Sequence, residues 1–153
     1  CGGCLLLVCA FMVNSIFVLT FFMERIRTLL IQGKEIVAID YSNLKEADMI
    51  ALAIDAKKYL MKTEGPKFII NSYSKTFITP AYVRHMEKDY DEVKNYINRN
   101  ALVGLNTPKM MILKGFNLLL GTDFRTFATE REAIEYLIGA PVVEELKPIF
   151  VST

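Results

Sequence analysis

The chain opens on an uninterrupted apolar run and then settles into alternating hydrophobic periods. Residues 4 to 23, CLLLVCAFMVNSIFVLTFFM, contain no Asp, Glu, Lys, Arg or His, and ERIR follows at once. TLLIQGKEIVAIDYS then reads as two strands, about 26 to 32 and 35 to 41, joined by a turn at Gln32, Gly33 and Lys34 where glycine supplies a positive φ. The second strand, IVAID, is almost continuously apolar, as a strand covered on both faces should be. NLKEADMIALAIDAKKYLMK, 43 to 62, changes to helical spacing, with Ala47, Ile50 and Ile54 opposite Lys57, Lys58 and Lys62. Asn43 with Glu46 three residues on predicts its cap, and Gly65 and Pro66 end it. KFIINSY, 67 to 73, is a third buried strand.

Thr79 and Pro80 predict the Ncap and first turn of a second helix, single or broken, running to about Asn98 through the charged stretch MEKDYDEVKN. NALVGL, 100 to 105, is the fourth strand. Thr107 and Pro108 repeat the helix-start signature before KMMILKGFNLLL. FRTFAT, 124 to 129, is a short fifth strand, and TEREAIEYLIG closes with Thr129 and Glu132 at capping-box spacing and Gly139 as the stop. The order ββαβαβαβα predicts a single α/β domain, a mixed sheet covered by helices, because crossovers between parallel strands need helices to carry them. It divides the chain into a hydrophobic leader at 1–23, a domain at 24–139, and an apolar, irregular tail at 140–153.

Composition narrows the function more than it reveals it. The 18 Lys and Arg and 17 Asp and Glu all follow Met23, giving a net charge of +1. A near-neutral chain lacks the basic face that displaces counterions from phosphates, so nucleic acid is not an expected partner. The three cysteines, Cys1, Cys4 and Cys9, all stand in the leader, which leaves the domain without disulfides or thiol chemistry. CGGC has CxxC spacing but precedes a lipophilic run, not a helix beside a strand.

At about 1.5 Å per residue the run from 4 to 23 reaches about 30 Å, the thickness of a bilayer's hydrocarbon core. Two readings stay open: a membrane anchor, and an upstream segment absent from a working protein that starts at Met23. A cleaved signal peptide fits less well, since a basic n-region and an A-x-A site are both missing. Arg25, Arg27 and Lys34 follow the run, so an inserted anchor leaves the domain on the cytoplasmic side. Membrane contact is expected only if 4–23 is present and inserted; the expected location is the cytoplasm, tethered or free.

No catalytic constellation emerges. His85 is the lone histidine, without a domain cysteine or a serine motif to complete a nucleophilic pair, and it is expected as an ordinary residue of a charged helix. One histidine and scattered carboxylates do not make a transition-metal site, and no cofactor is implied. Asp40, Tyr41, Ser42 and Asn43 form a polar cluster where a strand gives way to a helix. With the loop from Asn71 to Thr76 they form a candidate rim outside the carboxyl ends of the strands, against which stands ordinary capping and turn chemistry. VGLNTP has one glycine at a strand end and no Walker or GxGxxG pattern. KMMILKGFNLLL says more: Met110, Met111, Leu113, Phe116, Leu119 and Leu120, with their neighbours, exceed what one buried stripe requires. That surplus marks a candidate surface for a protein partner, a second copy of the chain or an apolar small molecule or lipid, methionine helping it adapt; extra core is the plain alternative.

The stretch from KEIVAIDYSNL through FIINSYSKTFITPAYV and ALVGLNTPKMMILKGFN to FATEREAIEYLIG resembles the SpoIIAA-like family, also called STAS/SEC14-domain proteins, over about residues 24 to 139. These pieces are signatures of a fold more than of a reaction. The resemblance implies a regulatory or binding module and not an enzyme. In the related STAS anti-sigma antagonists a phosphorylatable serine begins the helix after the third strand; here Pro80 takes that place, which puts the phosphorylation switch in doubt. Thr79 keeps a hydroxyl at the helix start, where a phosphate would be favoured by free N–H groups, although its expected role is the Ncap. The expectation is therefore a non-enzymatic module that binds a protein or a small apolar ligand through residues 107 to 120 and the strand-end loops. A membrane-tethered adaptor, or an enzyme using Asp40, Ser42, Thr79 or His85, are its rivals.

Overall fold

The computed structural model describes residues 24–150. The leader run at 4 to 23 lies outside them; among the described residues no helix is long and apolar enough to cross a membrane. In chain order the elements are β1 (Ile26–Ile31), β2 (Lys34–Asp40), α1 (Glu46–Lys62), β3 (Lys67–Ser72), α2 (Pro80–Val93), a 3-10 turn (Lys94–Tyr96), β4 (Ile97–Val103), α3 (Thr107–Leu120), β5 (Arg125–Phe127) and α4 (Glu130–Ile138). This is the expected ββαβαβαβα order.

Gln32 and Gly33, with φ of 47° and 76°, make a two-residue turn whose two positive φ values match the twist of the β1–β2 hairpin. β2 to β5 then pair in parallel, and the five strands stand in the sheet in chain order. When parallel strands advance steadily in one direction, crossovers of one hand put every connecting helix on the same face. Accordingly Met49, Leu52, Ala56 and Leu60 of α1, Tyr82 of α2 and Leu113 of α3 all meet Val37, Ile39, Ile69 and Leu102 on the first face. The opposite face carries Ile36, Ala38, Ile70, Ala101 and Val103 and would lie bare without the chain after β5. Ala133, Ile134 and Leu137 of α4 cover it, with Val142, Ile149 and Phe150 of the tail.

The tail has no regular structure between 140 and 150, yet it is firmly tied. The Glu130 carboxylate accepts from the N–H of Ile149 at 2.6 Å and of Phe150 at 3.0 Å. Glu135 accepts from Val142 N at 3.1 Å, and Arg131 donates to Val142 O at 2.9 Å.

Two helix starts differ from expectation by short distances with clear causes. Asn43 is not the cap of α1: it takes a left-handed conformation, φ 59°, and its N–H reaches Ser74 O at 3.1 Å, so α1 starts after Lys45 without a side-chain cap. Asn106, not Thr107, caps α3, accepting from Lys109 N at 3.2 Å, with Thr107 and Pro108 already inside the first turn. Thr79 and Thr129 cap α2 and α4, accepting from the N–H groups of Tyr82 and Glu132. The second helix stops at Val93 because a 3-10 turn delivers the chain into β4 by Ile97, three residues earlier than the apolar pattern suggests.

Candidate functional site

Two polar assemblies meet at the first face. At the carboxyl ends of β2 and β3, the Asp40 carboxylate accepts from Ser42 N at 2.9 Å, and Ser42 Oγ lies 2.8 Å from Ser72 Oγ. Thr76 Oγ1 donates to Leu44 O at 2.7 Å, which with the Asn43–Ser74 bond stitches the two loops together. Lys109 reaches over from α3, its Nζ donating to Tyr73 O at 2.9 Å. It is only 8% exposed, and burial lowers its pKa below the ordinary lysine value. The sequence-expected rim of Asp40, Ser42 and Asn43 is thus brought beside the Asn71 to Thr76 loop, but its groups are spent on one another. Thr79 stands apart as the α2 cap. His85, in α2, has Nε2 at 3.3 Å from Asp89 Oδ2 without hydrogen-bond alignment.

Deeper in, Tyr41, Tyr73 and Tyr82 pack as a triad. The first two rings stack with centroids 5.0 Å apart and planes 2° from parallel, and Tyr82 meets both edge-on. Tyr82 OH lies 2.9 Å from Tyr73 OH and also bonds to Tyr41. Burial pushes the Tyr73 pKa up to about 12 and raises those of Tyr41 and Tyr82 well above the usual tyrosine value, so all three stay neutral hydrogen-bonding groups.

Bordered by the triad, a cavity of about 110 Å³ lies between the first face and α1, α2 and α3, with Ala53, Ala56 and Leu60 of α1 in its lining. Ile39, Ile69 and Leu102 form its floor, while Met86, Leu113 and Phe116 form the opposite wall. Asn117 shapes one end: its side chain donates to Phe124 O at 2.9 Å and accepts from Phe124 N at 3.1 Å, seating Phe124 on Phe116 with ring centroids 5.6 Å apart. Asn71 and Asn100 are set in the wall, Asn71 Nδ2 donating to Asn100 Oδ1 at 2.7 Å. At the margin, Lys57 of α1 pairs with Glu92 at 2.8 Å and Asp89 at 3.4 Å.

The sequence-predicted residues divide around this cavity. Leu113, Phe116 and Tyr41 line it. Met110 is half-buried with its sulfur 3.8 Å from Thr126 Oγ1, and Leu120 is half-buried. Met111 and Leu119, each 69% exposed, and Leu118, 87% exposed, point outward. Asp40, Ser42, Asn43, Thr79 and His85 do not line it. Asn71 and Asn100 went unremarked as a pair, although their place was legible: each stands two residues from an inward apolar residue of its strand, Ile69 and Leu102. Among the described residues, no group of three or more His, Cys, Asp or Glu side chains could hold a metal.

No protein-family model and no curated protein matches the chain. Among solved structures it is similar to an uncharacterized protein of the DUF3478 family with a SpoIIAA-like fold, from Shewanella loihica PV-4. The two share 15% sequence identity and a TM-score of 0.57, over 73% of this chain and 91% of that one. The chain has the SpoIIAA-like fold.

Proposed function

We propose that this domain is a non-enzymatic binding module that receives a small apolar molecule between its sheet and α2 and α3. The observation that carries the reading is the mostly apolar cavity of about 110 Å³, walled by Leu113 and Phe116. The volume is somewhat below that of a dry engineered cavity of about 150 Å³ that holds benzene, the size range of a short alkyl chain or one small ring. Bond-making finds no support at this place, because Asp40, Ser42, Thr79 and His85 lie elsewhere and burial holds Tyr41, Tyr73 and Tyr82 neutral. The proposed location is the cytoplasm, tethered or free: were the leader inserted in a membrane, Arg25, Arg27 and Lys34 behind it would favour the cytoplasmic side.

Titration of the full chain with toluene, followed by methyl NMR, tests the reading. The methyl signals of Ile69, Leu102 and Leu113 should shift together and saturate. Shifts confined to surface methyls would overturn it.

A second reading has its own observation. Met111, Leu118 and Leu119 expose apolar area along the outer side of α3, a surface suited to a protein partner or a second copy of the chain. Light scattering of the chain and of a Leu118→Glu variant checks the second copy: a dimer dissolved by the substitution favours it, a monomer in both rejects it.

A further inference from the structure

The cavity's lining is mostly apolar; besides the tyrosines and the Lys57–Asp89 pair at its margin, its polar members are Asn71 and Asn100. Asn71 and Asn100 share a face with Ile69 and Leu102, and Asn71 is only 5% exposed. A buried amide stabilises nothing by being there; two leucines would fill the same wall without desolvating polar groups. The amides make one hydrogen bond, Asn71 Nδ2 to Asn100 Oδ1 at 2.7 Å. Each side chain has a carbonyl oxygen and two N–H donors, so most of their capacity is left over. Either orientation of the two amides leaves the pair with both donor and acceptor capacity to spare, and both residues line the cavity.

Charge at the site narrows the occupant further. Among the described residues that line the cavity, Lys57 is the one cation, and Glu92 and Asp89 both hold it. An anion brought into the cavity would lose its hydration and meet a lysine already outweighed by two carboxylates. An organic cation would have to displace Lys57 from the same carboxylates. A neutral hydroxyl or carbonyl meets neither obstacle and matches the spare amide groups.

We propose that the Asn71–Asn100 amide pair is the polar recognition element of the cavity, selecting a small neutral amphiphile that carries one hydroxyl or carbonyl group on a ring or short chain. This rests on the cavity-binding reading above and adds its ligand class.

Four probes of one shape separate the two claims: toluene, benzyl alcohol, benzoate and benzylammonium, titrated calorimetrically into the full chain. Benzyl alcohol should bind at least tenfold more tightly than either ion. Replacing both amides, Asn71→Leu with Asn100→Leu, should lower the benzyl alcohol to toluene affinity ratio about five- to tenfold, the scale of a lost hydrogen bond. Asn100→Leu alone, at the half-buried position, serves if the double variant does not fold, and should lower the ratio in the same direction. Failure of toluene to bind the wild-type chain overturns the cavity reading and this proposal with it. Toluene binding with an unchanged ratio in the variants overturns only the amide assignment, and benzoate or benzylammonium binding as tightly as benzyl alcohol overturns the neutral ligand class.

Discussion

Lys109 Nζ donates to the carbonyl oxygen of Tyr73 at 2.9 Å, joining the first turn of α3 to the end of β3. The contact explains how a helix with only Lys109 and Phe116 buried keeps its place over the first face. It is also an unusual anchor, since a buried ammonium is held against its own desolvation by a hydrogen bond to a backbone carbonyl.

Lys109→Met should therefore loosen α3 selectively. The expected loss in global stability is about 1–2 kcal/mol, with amide exchange in residues 110–120 accelerated at least tenfold and exchange in α1 nearly unchanged. Hydrogen exchange read by mass spectrometry distinguishes this from uniform destabilisation, which would show α3 held by packing alone.

The tyrosine triad sets an alkaline limit. Unfolded tyrosine titrates near pH 10, whereas burial raises Tyr73 to about 12 and Tyr41 and Tyr82 also upward. The native state thus keeps protons that the unfolded chain loses, so this contribution is whole below about pH 10 and is lost as pH rises through about 12. For Tyr73 alone it amounts to roughly 3 kcal/mol. Lys109, with its pKa lowered, acts in the opposite sense: its penalty is relieved as pH approaches the ordinary lysine value. Tyrosinate absorbance should show that three of the seven tyrosines ionise only together with unfolding; gradual ionisation of all seven in the folded chain would contradict the triad's burial.

Glu130→Ala should release the tail from the second face. The substitution leaves Ile149 N and Phe150 N without their acceptor and frees two buried apolar side chains. A loss of about 2–4 kcal/mol is expected in denaturant unfolding, and an unchanged midpoint would mean that the tail does not contribute to the core.

Gly104→Ala should cost about 2–4 kcal/mol. Gly104 has φ 74°, and a Cβ there would lie 2.8 Å from Ser74 N, so the approach of the loop after β3 requires the glycine. Thermal unfolding checks this; a variant as stable as the parent would show that the loop yields freely.

The sequence carried the scaffold further than the site. Thr79, Thr129, Gly33 and Gly139 announced their turns and caps because each acts through neighbours one to three residues away. Asn43 misled because its spacing to Glu46 imitates a capping box, while a tertiary bond to Ser74 holds it in a left-handed turn instead. The surplus apolar residues of α3 were visible from periodicity, but periodicity does not tell which of them enclose space. Leu113 and Phe116 line the cavity, whereas Leu118, about half a turn on from Phe116, faces outward. The Asn71–Asn100 bond joins two strands, a relation that no local pattern expresses.

Crystals of the full chain under xenon pressure test the cavity most directly, because xenon enters apolar space and leaves packed or hydrated regions empty. Xenon should occupy a site between Ile69, Leu102, Leu113 and Phe116 and be displaced when the crystals are soaked in benzyl alcohol. Side chains or ordered waters filling that space, with xenon absent from it, would contradict the account.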